Sequence, residues 1–149
     1  MTIAVAPKTT LYDLDLNLWV EDTIAKLKAG DFQNLDIENL IEEIEGVTSS
    51  DKREIENRLK RLIEHILKRC YVSMSDCYRG WQVTIINQRQ KLTRLLRQSP
   101  SLKRHFAESF DEAFENALKI VQIEYDVNFP DTWQFSRDID SMLNVDFWE

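Results

Sequence analysis

Glycine and proline are scarce in this chain, three of each among 149 residues. That scarcity removes the punctuation on which turn-rich β folds depend and leaves long helices uninterrupted. Cysteine is rarer still. Cys70 and Cys77 are the only two, too few for the disulfide framework of a small secreted domain and without the spacing of a Cys-x-x-Cys metal or redox pair. Both read as reduced packing residues. No stretch approaches eighteen consecutive apolar residues, and Met1 to Lys8 hold no basic leader ahead of an apolar run. The expectation is a cytoplasmic chain with no membrane association. Gly-rich phosphate loops, a Gly-x-Ser-x-Gly elbow and a His-Glu-x-x-His pair are all missing.

What is present suits one hydrophobic core. The chain has the usual length of a single domain, and 43% of its residues are apolar against 30% charged, close to globular averages. The net charge of −7 conceals a segregation. Residues 1–50 carry 3 Lys/Arg and 10 Asp/Glu, residues 51–104 carry 14 and 5, and residues 105–149 carry 2 and 11. A basic middle attracts polyanions by releasing their counterions. The acidic flanks can equally neutralise it, and pairing across a helical bundle is the expected arrangement.

Apolar spacing is helical throughout. Leu16, Val20, Ile24 and Leu27 form one stripe, which Gly30 ends, and Asp36 is placed to cap a second helix over Ile37 to Val47. Ile37, Leu40, Ile41, Ile44 and Val47 make that helix's inner face. Gly46 with Thr48, Ser49 and Ser50 predicts a break or sharp kink before a third helix, whose Asp51-x-x-Glu54 start resembles a capping box. Ile55, Leu59, Leu62 and Ile66 then form the cleanest stripe, widened by Ile63, Leu67 and Cys70. Ser73 to Gly80 interrupts, Trp81, Ile85, Gln88, Leu92 and Leu95 resume, and Ser99-Pro100 opens a last long helix carrying Phe106, Phe110, Ala113, Ala117 and Val121. The end is aromatic, with Phe129, Trp133, Phe135, Phe147 and Trp148, and is expected to wrap back on the bundle with a short helix from Ser136 to Leu143. The reading is all-α: a flexible tail over residues 1–10, then one domain over 11–149, a bundle of four to five main helices.

Six short stretches occur in order along this pattern: Leu35-Asp36 followed by Leu40-Ile41-Glu42-Glu43-Ile44; His65-Ile66-Leu67-Lys68; Trp81-x-x-Thr84-Ile85-x-x-Gln88-Arg89; Ser99-Pro100-Ser101-Leu102; Phe129-Pro130; and Asp146-Phe147. In these the chain resembles the domain of unknown function 29 family, over roughly residues 11 to 148. Arg69 departs from the family, standing where an aromatic is expected. The resemblance implies an all-helical bacterial protein and carries over no catalytic residue.

Helical bundles hold di-metal sites through Glu-x-x-His pairs, but Leu62 and Leu102 occupy the positions three before His65 and His105. No metal and no cofactor is expected. A mononuclear site on His65 and Glu43 is an alternative. On a helical wheel Arg58, His65 and Arg69 share one flank of the third helix, and Glu43 takes a similar flank of the second. The expectation is a half-buried polar seam of Glu43, Arg58, His65 and Arg89, with Glu43 receiving hydrogen bonds from His65 or an arginine. Arg58 and His65 also stand in an Arg-x6-His spacing that resembles the motif of the helical nucleases called HEPN, which makes these two the candidate catalytic residues. The core-facing Leu59 follows Arg58 where that motif has a polar residue. With no convergent catalytic set, the leading expectation is a non-catalytic regulatory or protein-interaction module, with a protein partner or a second copy as its occupant. Nucleic-acid binding by residues 51–104 and RNA cleavage by Arg58 and His65 are the alternatives.

Overall fold

The computed structural model describes residues 10–149. The expected flexible tail over residues 1–10 therefore lies outside the described residues, Thr10 excepted. Six α-helices follow in order: α1 (Leu11–Leu14), α2 (Leu16–Ala29), α3 (Ile37–Tyr71), α4 (Tyr78–Gln98), α5 (Lys103–Glu124) and α6 (Ile139–Asn144). No strand occurs among the described residues, and none of their helices is long and apolar enough to cross a membrane. The chain forms two compact units, the first reaching Thr48 and the second comprising Ser49–Glu149.

In the first unit every helix end has a chemical reason. The side chains of Thr10 and Asp15 accept the backbone N–H groups of Asp13 and Leu18 at 3.3 and 3.0 Å, satisfying donors that the first turns of α1 and α2 leave free. Gly30, at φ 72°, closes α2 in the left-handed conformation that a Cβ would penalise. Asp36 caps α3 as its sequence position predicts, accepting from the backbone N–H of Asn39 at 3.3 Å. Among the described residues of this unit only Trp19 and Thr23 are buried. The stripes read as core on α2 and on the start of α3 lie open instead: Leu16, Val20, Ile24, Leu27, Ile37, Ile41, Ile44 and Val47 are all between 37 and 64% exposed. Periodicity marks a face that favours apolar contact, and this one keeps a third to two-thirds of its surface in water.

The predicted break at Gly46 to Ser50 does not occur. Helix α3 runs for 35 residues, and Asp51 and Glu54 are interior to it, Glu54 accepting from Arg58 one turn later instead of capping. Gly46 has no positive φ. A glycine inside a helix costs only about 1 kcal/mol relative to alanine, too little to end a helix that is otherwise well formed.

The second unit is built on the stripe of α3. Ile55, Leu59, Leu62, Ile63 and Ile66 are wholly buried and join Trp81, Ile85 and Leu92 of α4 with Phe106, Phe110, Ala117 and Val121 of α5 in one cluster. Each large side chain so buried stabilises the fold by about 1.5–3 kcal/mol. Pro100 begins a single 3-10 turn, Pro100–Leu102, that leads into α5. The aromatic end packs back as expected: the Trp133 ring stands edge-on to Phe110, Phe135 and Phe147 at centroid distances of 5.5, 5.2 and 5.8 Å, geometry that the ring quadrupoles favour. The short helix expected from Ser136 begins at Ile139.

A Cβ at Gly46 would meet nothing within 4 Å. Gly46→Ala is expected to stabilise α3 by roughly 0.5–1 kcal/mol, measured as slower amide exchange across residues 40–52; faster exchange would show that this segment is not helical.

Candidate functional site

The four residues of the expected seam are placed separately, and no hydrogen bond joins any two of them among the described residues. Glu43, on α3, accepts from the Tyr12 hydroxyl at 2.5 Å, not from His65 or an arginine. That bond is the main reason the Tyr12 hydroxyl is pushed up to about 12. Tyr12 in turn stands edge-on to Trp19 at 5.0 Å, so the pair ties α1 to both α2 and α3.

Arg58 is held on two sides. Its Nε donates to Glu54 at 2.8 Å and its Nη1 to Gln88 Oε1, across on α4, at 3.1 Å. With Arg53, Arg61, Ser50 and Asn57 it lines an open groove of about 440 Å³. His65 does not line this groove. Two helical turns along α3, roughly 10 Å by helical rise, it is buried, and its Nδ1 lies 2.8 Å from the Arg61 carbonyl oxygen. A carbonyl only accepts, so Nδ1 carries the proton and Nε2 the lone pair. Burial, foremost, holds the imidazole below the ordinary histidine range. At neutral pH it is an uncharged ring that satisfies the helix backbone.

Arg89 is the most fully engaged cation. Its Nε donates to the Met142 carbonyl at 2.9 Å, Nη2 to the Val145 carbonyl and Nη1 to Asp146 at 3.1 Å. Burial disfavours the charge and Asp146 offsets it. One guanidinium thus closes the end of α6 and the turn after it, and each acceptor left unpaired without it would cost roughly 1–3 kcal/mol. Arg69 has a different partner. Its guanidinium stacks over Tyr78 at 3.8 Å and faces Trp148 at 5.5 Å, a cation placed inside an aromatic pair.

Expected pairing of the basic middle with the acidic flanks is limited. Of the 14 cations over residues 51–104, Lys68 reaches Glu124 at 2.9 Å and Arg89 reaches Asp146, while Arg58 and Arg104 pair one turn along their own helices. Lys52, Arg53, Lys60, Arg61, Arg79, Lys91, Arg94, Arg97 and Lys103 have no ion-pair partner among the described residues. No cluster of three His, Cys, Asp or Glu side chains suited to a metal occurs among those residues either.

The described residues form an all-α fold. The family model described as "Domain of unknown function DUF29" matches residues 11–148, and the chain belongs to that family. A search of curated proteins and a search of solved structures found no match. Much of the six stretches that carried the resemblance falls on structural positions: the cap Asp36, buried His65 and Ile66, buried Trp81, Ile85, Gln88 and Arg89, buried Leu102 and Phe129, and Asp146 on Arg89, while Ile41 and Ile44 of the first stretch are exposed. Two of them, Gln88-Arg89 and Asp146-Phe147, meet through one ion pair.

Above about pH 6.5 both the folded and the unfolded chain keep His65 neutral. Below it the unfolded chain takes up a proton that the folded chain resists, so stability declines as pH falls through that range. Glu64, which burial pushes up, acts oppositely, losing stability as pH rises through its elevated value. His65→Gln is therefore expected to flatten the loss of stability between about pH 7 and 5.5 in urea unfolding. An unchanged slope would mean that the folded and unfolded chains protonate His65 alike.

Proposed function

We propose that this protein is a non-catalytic interaction module that docks a partner on the apolar stripes of α2 and the first half of α3. The observation that carries the proposal is their exposure. The eight stripe residues each keep between 37 and 64% of their surface in water, on two helices where isolated exposed apolar side chains would need no explanation but regular stripes of them do. Among the described residues of their unit Trp19 is the one large buried apolar residue, so coverage by a partner adds burial there.

The nine unpaired cations favour a second reading, in which α4 and the Arg53–Arg61 groove hold a nucleic-acid backbone. The exposed face of α4 argues for the first, because it centres on Val83 and Ile86. Phosphates gain nothing from aliphatic side chains, and base stacking needs aromatic ones.

Two measurements separate the readings. Affinity purification with Ile41→Asp/Ile44→Asp is expected to lose a stoichiometric partner that the parent chain retains, with helicity unchanged by circular dichroism; equal recovery by both chains sinks the docking role. Gel-shift titration with generic RNA and DNA is expected to show no retention at physiological salt. Retention there, abolished by Arg53→Ala/Arg61→Ala, would put nucleic acid first.

A further inference from the structure

The stripes of the first unit carry an acidic border. At 100° per residue, Glu38, Glu42 and Glu45 follow Ile37, Ile41 and Ile44 along one edge of α3, and Glu21 borders Val20 and Ile24 on α2. Over residues 10–48 ten carboxylates face two lysines, one of which, Lys26, is already paired with Asp22 at 2.8 Å. The partner that fits is apolar along its centre and basic along its border. Helix α4 has that composition on its open face: Val83 and Ile86 are 56 and 52% exposed, and Arg79, Arg94 and Arg97 share their side of the helix. Beside them a groove of about 660 Å³, lined by Ile86, Arg94, Arg97 and Leu143 among others, offers room for aliphatic side chains.

Resting on the docking role proposed above, we infer that the occupant of the acidic-bordered stripe is a second copy of this chain, which presents the exposed face of its α4. Val83 and Ile86 of one copy cover the Ile37–Ile44 stripe of the other, and Arg94 and Arg97 lie against Glu42 and Glu45. The inferred pair is two-fold, each face being used once per chain. Charge decides the pairing. Two acidic units meeting stripe to stripe would repel, whereas stripe on α4 brings opposite signs together.

Sedimentation equilibrium of the purified full chain between about 1 and 100 μM is the test. The expected mass is twice the 17.6 kDa of one chain, and association is expected to weaken as salt rises. Ile86→Glu, remote in sequence from the stripe, is expected to give a monomer of unchanged helicity, as is Ile41→Glu. Arg94→Glu/Arg97→Glu is expected to weaken association by about tenfold or more, and mixing it with Glu42→Arg/Glu45→Arg is expected to restore a mixed dimer. A monomer at every concentration overturns the inference, as does a dimer indifferent to Ile86→Glu or one that tightens with salt, the behaviour of two acidic stripes. If the chain is monomeric while Ile41→Asp/Ile44→Asp still loses a partner in affinity purification, self-association falls and the docking role stands. If neither effect appears, both fall.

Discussion

Complete removal from water of one face of α3, from Ile55 to Leu67, is the constraint on which the second unit rests. Its apolar side chains are between 0 and 2% exposed, and α4, α5 and the aromatic end of the chain all contribute to the cluster around them. The same burial governs the polar groups at its edge. His65 has to be neutral and bonded to the backbone at Arg61, and Lys68 can lie nearly buried because Glu124 meets it at 2.9 Å. Arg89 keeps its charge only because two carbonyls and a carboxylate converge on it. Their places follow from the hydrophobic face.

Helix α3 shows in one element what a sequence pattern does and does not encode. Its spacing of apolar residues is the same on both sides of Gly46, and this spacing is enough to read the helical class, the central stripe and the cap at Asp36. Coverage is not legible. The four-residue step from Ile55 to Leu59 repeats the step from Ile37 to Ile41, yet Ile55 and Leu59 are wholly buried and Ile37 and Ile41 are each 50% exposed. Periodicity reports which face is apolar, while coverage depends on residues far away in the chain. The break expected at Gly46 to Ser50 fails for a related reason: local propensities of about 1 kcal/mol or less per residue do not decide the course of a long helix.

The candidate site is legible in its residues and not in its partners. Arg58, His65 and Arg89 stand out in the sequence as polar groups on or near apolar faces, and each is indeed bonded. Their partners include the backbone carbonyls of Arg61, Met142 and Val145, and the amide of Gln88. A carbonyl has no signature in sequence, since every residue carries one. Tyr12 escapes a sequence reading as the donor to Glu43 because it lies 31 residues away on a four-residue helix. Asp146 is in view as part of a family stretch, and the ion pair with Arg89 is what that stretch supplies.

Segregated charge acquires a physical meaning once burial is known. A protein that neutralised its basic middle internally would show many pairs between the middle and the flanks, and only Lys68 and Arg89 among those cations make such pairs toward the C-terminal segment. Glu38, Glu42 and Glu45 of the first unit and Arg79, Arg94 and Arg97 of α4 each lie next to exposed aliphatic side chains. Unpaired charge alone is ordinary on a solvated helix, and a single exposed isoleucine is ordinary too. Their coincidence on two faces of opposite sign is less so, because charges bordering an apolar strip contribute orientation and on-rate only when something approaches that strip. Among the described residues of the first unit Trp19 is the one large buried side chain. Under the docking role proposed above, the face that receives a partner is also the face that adds burial to this unit, so that association and local folding become one equilibrium.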